Sequence, residues 1–147
     1  MQISDDDFYM DFAYLTAKRS HDKIYRVGCV VVKDRMILAE GYNGMPSGME
    51  HITRTDGKTR PEVIHSEANA LMKMVRNGVS SEGATIYCTY SPCFECAKLI
   101  LQAGITRIVY ANVYREDSIR FLIERGFNEE SNTKHKRILS KSTYRKT

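Results

Sequence analysis

The chain has 147 residues, of which 42% are hydrophobic and 27% are charged, and its formal net charge is +4. This length corresponds to one domain, and this composition excludes a protein that is disordered or membrane-spanning as a whole. No apolar run reaches the length of a membrane-spanning helix, and residues 1–7 are acidic where targeting peptides are basic. We therefore expect a cytoplasmic protein that does not bind a membrane.

The positive charge is concentrated at the C-terminal end. Residues 127–147 hold six lysines and arginines against two glutamates, whereas the rest of the chain holds equal numbers of basic and acidic residues. We expect a neutral body over residues 1–126, followed by a basic C-terminal segment of the same domain. A neutral body argues against nucleic acid as a partner, since such partners select clustered basic residues.

The first half of the chain predicts one helix and a hairpin. Ser4 followed by Asp7 indicates a helix start, and apolar residues at helical spacing extend that helix over residues 4–20. Residues 27–33 and 36–42 are apolar, β-branched runs separated by Asp34-Arg35, which is typical of a hairpin. A long irregular stretch follows over residues 43–60. A loop of this size inside a compact domain is more often functional than idle.

The second half alternates helices and strands. A helical stripe begins near residue 64 and ends at Asn77-Gly78, and a strand over 84–90 leads to a helix that Ser91-Pro92 would cap. A strand over 105–111 and a helix over 117–125 follow, and residues 137–139 could add a short edge strand. This order predicts a three-layer α/β/α sandwich. Its mixed sheet would be antiparallel at the first hairpin and parallel after it.

Three metal-ligating side chains occur at the starts of two predicted helices, namely His65, Cys93 and Cys96. Cysteines three residues apart in a first helical turn lie on one face, and a helix N-terminus lowers their pKa. One histidine and two cysteines are three protein ligands, and zinc bound by three protein ligands keeps its fourth position for water. The set is therefore typical of a catalytic Zn²⁺ site.

Glu67 is the candidate general base beside that metal. In the middle of a helix the side chains of His65 and Glu67 would diverge by about 200°, so both can flank one metal only at a helix start. We therefore predict that the helix begins near residues 64–66, although Pro61-Glu62 locally favours an earlier start.

Other interpretations of these residues remain open. The Cys93-x-x-Cys96 pair alone would also fit a redox dithiol or half of a structural zinc site. The other histidines, His21, His51 and His135, have no such neighbours and are predicted to be solvated, with a metal or nucleotide role left open for His51.

The pattern His65-Ser66-Glu67 followed by Pro92-Cys93-Phe94-Glu95-Cys96 is the signature of the zinc nucleobase deaminases. Residues 41–48 (Gly-Tyr-Asn-Gly-Met-Pro-Ser-Gly) and 96–105 (Cys-Ala-Lys-Leu-Ile-Leu-Gln-Ala-Gly-Ile) add a close resemblance to deoxycytidylate deaminases, over roughly residues 8–126. The resemblance implies a cytidine deaminase-like fold and a zinc-dependent deaminase domain over residues 1–126. Ser66 departs from the family's usual alanine, and Ser91 and Phe94 also differ from common residues.

The resemblance implies hydrolytic deamination of dCMP to dUMP and ammonia, with Glu67 moving the protons. The predicted substrate-binding residues are Arg26, Asn43, Ser66, Ser91 and Tyr114. Asn43 would contact the sugar. Arg26 is either an exposed charge or a phosphate contact, and Tyr114 and Arg115 follow a strand at the end where such sheets bind ligands.

The same resemblance implies a homo-oligomer, often a hexamer, that dCTP activates and dTTP inhibits, with Mg²⁺ accompanying the triphosphate. Its predicted effector residues are Gly41, Tyr42, Asn43, Gly44 and Arg115. The alternatives are a cytidine deaminase, a tRNA adenosine deaminase, a polynucleotide cytosine deaminase and a non-catalytic zinc-stabilised binding module.

Overall fold

The computed structural model of the chain describes residues 2–132 and 136–142. Helix α1 (Asp5–Ala17) is capped by Ser4, whose Oγ accepts a hydrogen bond from the Asp7 backbone N–H at 3.1 Å. Strands β1 (Gly28–Lys33) and β2 (Met36–Tyr42) form the predicted antiparallel hairpin. Asp34 and Arg35 adopt positive φ angles of 51° and 63°, as the two central residues of such a tight turn require.

The stretch 43–60 is not irregular throughout, as the sequence suggested. It contains a small two-stranded sheet of β3 (Arg54–Thr55) and β4 (Lys58–Thr59), joined by Asp56-Gly57, whose φ angles are 54° and 75°. Asp-Gly is a favoured pair for this turn, but strands of two residues have no periodicity by which a sequence could reveal them.

The predicted alternation of helices and strands follows. The elements are α2 (Ser66–Asn77), β5 (Thr85–Tyr90), α3 (Phe94–Gln102), β6 (Arg107–Asn112) and α4 (Glu116–Glu124). The cap of α3 differs from the expected Ser91-Pro92. It is Cys93, whose Sγ accepts from the Cys96 backbone N–H at 3.4 Å.

Two C-terminal strands complete the main sheet, β7 (Asn128–Asn132) and β8 (Arg137–Ser140), in the order β2-β1-β5-β6-β8-β7. β8 lies between β6 and β7 and is antiparallel to both, so the expectation of an edge strand was wrong. The expectation of parallel pairing after the hairpin is confirmed for β5 and β6 but not for β8. Among the described strands only β5 and β6 are parallel. The basic residues Lys134, Arg145 and Lys146, and also His135, lie outside the described residues.

Residues of β1 alternate between two apolar cores, as a strand covered on both faces requires. Val30 and Val32 pack with α1, whereas Cys29 and Val31 pack with buried residues of α2, α3 and α4. The predicted α/β/α sandwich with a mixed sheet is therefore confirmed. No helix within residues 2–132 and 136–142 has both the length and the apolar character needed to cross a membrane.

Candidate active site

The ligand atoms of His65, Cys93 and Cys96 lie within 4.8 Å of one another. His65 Nδ1 is 3.3 Å from Cys93 Sγ and 3.7 Å from Cys96 Sγ. A tetrahedral zinc ion with its usual Zn–S and Zn–N bond lengths separates such atoms by roughly 3.6 Å. The three side chains therefore fit zinc in both donor type and spacing, and no other such cluster of three ligands is present in the part of the chain that the structure describes.

Two helix starts bring these ligands together. His65 is the residue immediately before α2, and Cys93 holds the same place before α3, so both helices direct their N-termini at the cluster. The predicted start of α2 is thus confirmed against the earlier start that Pro61-Glu62 favoured. Gly41 on β2 permits the close approach of α2, since a Cβ there would collide with the backbone of Ser66 and Ala70.

The thiol of Cys93 is prepared for metal binding. A hydrogen bond from the Cys96 thiol, assisted by His65, lowers the pKa of Cys93 to about 4. The Cys93 thiolate in turn raises the pKa of His65 by accepting its ring N–H. Cys93 is therefore the first of the two cysteines to ionise, and a thiolate is the form in which cysteine binds zinc.

Glu67 is buried beside the three ligands, with 4% of its surface exposed. Burial raises the pKa of its carboxyl group, while a hydrogen bond from Ser66 Oγ to Oε1 at 2.9 Å opposes that rise. A carboxyl group whose pKa is raised by burial holds an accepted proton more firmly than an exposed one, which suits the predicted role of general base and acid.

A cavity of about 530 Å³ opens over this cluster, a volume within the range of small-molecule sites. Five predicted substrate or catalytic residues line it together with two of the metal ligands; these are Asn43, Ser66, Glu67, Ser91, Tyr114, His65 and Cys93. Ser91 Oγ accepts from the Tyr114 backbone N–H at 2.7 Å, which joins the ends of two neighbouring strands at the cavity wall.

The Asn43 amide is already committed to the local fold. Its Oδ1 accepts from the Val27 backbone N–H at 2.9 Å, and its Nδ2 donates to the Tyr25 carbonyl at 2.8 Å. An amide group has one further donor and one further acceptor position, so a contact between Asn43 and a sugar hydroxyl remains chemically available.

Other predicted residues are not among those that line the cavity. Arg26 donates from Nε to the Asp22 carbonyl at 3.1 Å, and Arg115 pairs with Asp117 at 3.5 Å. Gly41, Tyr42 and Gly44 instead hold α2 in place. Asn69 Nδ2 donates to the Tyr42 carbonyl at 2.8 Å, and Gly44 exchanges two backbone hydrogen bonds with Ile64.

Residues from the 20–27 and 53–63 segments also line the cavity, and they were not predicted from the sequence; they are Tyr25, Val27, Arg54, Thr59 and Val63. The sequence feature that could have indicated Arg54 is a basic residue inside a long loop. His21 and His51, by contrast, stack with ring centroids 3.8 Å apart and are exposed.

Residues 3–112, well over half of the chain, match the family model described as the cytidine and deoxycytidylate deaminase zinc-binding region. The chain belongs to this family. The predicted resemblance is thereby confirmed, and the three-ligand cluster and its buried glutamate lie within the matched residues.

Relatives within the family include deoxycytidylate deaminases. That of Saccharomyces cerevisiae is 37% identical over 84% of this chain and 42% of its own length. That of Mycobacterium phage D29 is 37% identical over 71% of this chain and 92% of its own length. The chain thus spans about two fifths of the yeast relative but nearly all of the phage relative.

A solved structure of the same family is also similar. The dCMP deaminase from cyanophage S-TIM5, crystallised in complex with dCMP and dUMP, is 41% identical and superposes with a TM-score of 0.81. The match covers 84% of this chain and 93% of the cyanophage chain, so the shared deaminase fold extends beyond the zinc-binding region.

Proposed function

We propose that this chain catalyses the hydrolytic deamination of dCMP to dUMP and ammonia, with Zn²⁺ held by His65, Cys93 and Cys96. The observation that carries the proposal is that Glu67 is buried beside the three ligands and lines the same cavity as two of them. The dCMP and dUMP bound to the cyanophage enzyme, at 41% identity, support the choice of substrate.

The chemistry divides between the metal and this chain. Bound zinc supplies Lewis acidity, which makes water nucleophilic near neutral pH. Glu67 accepts a proton from the water whose oxygen attacks C4 of cytosine, and it delivers that proton to N3 of the base. A second proton passes through Glu67 to the departing amino group, so that one water is consumed and one ammonia is released.

The cavity wall holds the nucleotide for this transfer. Asn43 would offer its remaining amide positions to the sugar, and polar groups at Ser66 and Ser91 would contact the edge of the base. Tyr114 would close the cavity on the side of β6. These assignments follow from the position of each residue at the cavity.

Ammonia release from dCMP, measured together with zinc content, tests the proposal. A zinc-loaded protein that releases ammonia from dCMP supports it. A zinc-loaded protein with no activity on dCMP, deoxycytidine or cytidine would favour the zinc-stabilised binding module. Activity on deoxycytidine equal to that on dCMP would favour a cytidine deaminase.

We further propose that dCTP activates this enzyme and dTTP inhibits it, each with Mg²⁺. Binding at Gly41, Tyr42, Asn43 and Gly44, with a contribution from Arg115, would act directly on the hydrogen bonds that hold the start of α2. Since α2 begins with Ser66 and Glu67, an effector that binds two states of this segment unequally would change activity. Saturation curves for dCMP with each triphosphate, repeated on Tyr42→Ala, test this. Coincident curves would contradict regulation.

The proposed assembly is a homo-oligomer, with a hexamer as the expected size. Met72, Val75 and Val79 form an exposed apolar surface at helical spacing along α2 and just beyond its end, which is compatible with a subunit contact. Light scattering after gel filtration measures the assembly.

The proposed location is the cytoplasm. All four cysteines are free, which agrees with the reducing conditions of that compartment.

A further inference from the structure

Arg54 is the one residue with a permanent positive charge among the described residues that line the active-site cavity. It lies on β3, in the segment that sequence reasoning treated as an irregular loop, and its side chain is 16% exposed. An arginine in such a position loses part of its hydration, so its burial in the cavity wall calls for compensating partners.

Asp22 supplies the first of these partners. Arg54 Nε donates to Asp22 Oδ1 at 3.1 Å, and Asp22 itself is 1% exposed. The same carboxylate accepts from the Ile24 and Tyr25 backbone N–H groups at 2.9 and 2.7 Å, and from Thr53 Oγ1 at 3.0 Å. Burial alone would raise the pKa of Asp22, but these hydrogen bonds outweigh it and lower the pKa, so Asp22 stays ionised.

The rest of the Arg54 guanidinium is held in place, but not all of its N–H groups have hydrogen-bond partners. Nη1 donates to the Gly57 carbonyl at 3.1 Å, and the guanidinium carbon lies 5.6 Å from the centre of the Tyr25 ring. Nη2 has no hydrogen-bond partner among the residues that the structure describes. The guanidinium therefore has free N–H donors while its position is fixed from two sides, a preorganised state that lowers the cost of binding an anion.

Thr59 extends the same surface. It is paired with Arg54 across the β3–β4 hairpin, and directly paired residues of an antiparallel ladder project to the same face. Both residues line the cavity. A guanidinium and a hydroxyl on one face offer several N–H and O–H donors to a tetrahedral oxyanion, the type of ligand that arginine recognises best.

We propose that Arg54, fixed by Asp22 and assisted by Thr59, binds the phosphate of the nucleotide substrate and so selects the monophosphate over the nucleoside. This inference rests on the proposed deaminase function. Arg54 is a specificity-determining residue in this account, and Asp22 is a positioning residue that acts through it. Arg26, which the sequence offered as a phosphate contact, instead joins the Asp22 carbonyl and does not line the cavity.

The experiment compares kcat/KM for dCMP and for deoxycytidine in wild type, Arg54→Gln, Arg26→Gln and Lys58→Gln. Lys58 is a matched control because it lies on the same hairpin, is exposed and does not line the cavity. We expect Arg54→Gln to lower kcat/KM for dCMP about 10- to 100-fold, the size of a lost charge-assisted phosphate contact, and to leave deoxycytidine unchanged. Lys58→Gln should leave both values unchanged.

Two results would overturn the proposal. One is an equal loss for both substrates in Arg54→Gln, which would mean that Arg54 only supports the fold. The other is a selective loss of dCMP activity in Arg26→Gln that equals or exceeds the loss in Arg54→Gln. If Arg54→Gln does not fold, Arg54→Lys replaces it, because lysine keeps the charge beside Asp22 but lacks the planar set of donors.

Binding of the product separates this inference from the proposed function. Calorimetry should find that wild-type protein binds dUMP at least about 10-fold more tightly than deoxyuridine, and that Arg54→Gln abolishes this difference. Loss of the preference in Arg54→Gln would support the phosphate site even if the wild-type protein released no ammonia from dCMP. Wild-type binding without a preference for dUMP would refute the phosphate site whatever the activity.

Discussion

Ser66 donates a hydrogen bond of 2.9 Å from its hydroxyl to Oε1 of Glu67, its neighbour in the first turn of α2. Both side chains are largely buried, so this bond helps to fix the orientation of the proposed proton carrier. Ser66→Ala should retain zinc and lower kcat on dCMP about 2- to 10-fold, the range for one hydrogen bond. Steady-state kinetics with a zinc assay measures this, and an unchanged kcat would mean that packing alone orients Glu67.

Glu67→Gln should retain zinc and lose most activity, because an amide cannot carry a proton while the three ligands stay in place. The expected loss in rate is on the order of 10² to 10⁴. Glu95→Gln is the matched control, since Glu95 lies between the two cysteines in sequence but pairs with Lys98 and is exposed. Near-normal turnover by zinc-loaded Glu67→Gln would refute the proposed mechanism.

His65→Ala, Cys93→Ala and Cys96→Ala should each lose zinc, because two remaining protein ligands hold the ion weakly. Cys88→Ala is the control for loss of a thiol, as Cys88 is buried in the core on β5 and is not one of the three clustered ligands. Elemental analysis of purified proteins measures the zinc content. Stoichiometric zinc in any of the first three variants would exclude that residue from the ligand set.

The sequence was sufficient to predict which side chains form the cluster because each part of the motif is local. His65 and Glu67 are two residues apart, Cys93 and Cys96 are three apart, and each pair occupies one helix start. The layer order was predictable from the order of helical and strand patterns along the chain, most of which the structure contains.

The wall of the cavity could not be predicted in the same way. Arg54 reaches it through Asp22, a partner 32 residues away in sequence, and no periodicity connects the two. β7 was missed because its sequence, Asn-Glu-Glu-Ser-Asn, is polar and occupies a sheet edge, where pairing with β8 replaces the apolar pattern of a central strand. Because β7 occupies the sheet edge, β8 lies inside the sheet instead of at its edge, and it is antiparallel to β6.

The pH dependence of stability should reveal an ion pair between α1 and β6. Asp6 forms two hydrogen bonds of 2.7 Å with Arg107, and this contact lowers the pKa of Asp6 although partial burial opposes the shift. A lowered folded-state pKa stabilises the protein above the unfolded value of about 3.9, and the stabilisation is lost as pH falls through the folded value. Asp6→Asn should therefore lower the free energy of unfolding by about 1 to 3 kcal/mol at pH 7.

Urea unfolding at several pH values measures this difference between wild type and Asp6→Asn, which should shrink below about pH 4. Asp5→Asn is the matched control. It removes the same charge from the same helical turn, but its partner Arg35 is 3.4 Å away and both side chains are exposed, so its effect should be smaller. A difference for Asp6→Asn that does not vary with pH would indicate lost packing instead of a lost ion pair.

Gly41→Ala should lower both stability and activity, whereas Gly44→Ala should change stability little. A Cβ at Gly41 would collide with the backbone of Ser66 and Ala70, so β2 and α2 would have to separate by the width of a methyl group. At Gly44 the nearest atom to a new Cβ is the Tyr42 ring at 3.7 Å, which is an ordinary contact. Overpacking of this kind typically costs about 1 to 3 kcal/mol.

The two substitutions therefore distinguish an effect on folding from an effect on regulation within residues 41–48. Thermal unfolding should place Gly41→Ala below wild type and Gly44→Ala near it, and kcat should fall in Gly41→Ala because the displaced helix start carries Ser66 and Glu67. If Gly41→Ala kept wild-type stability and kcat but lost its response to dCTP, Gly41 would act in effector binding and not in packing. A loss of stability with unchanged kcat would show that the start of α2 tolerates displacement, against the coupling proposed for the effector.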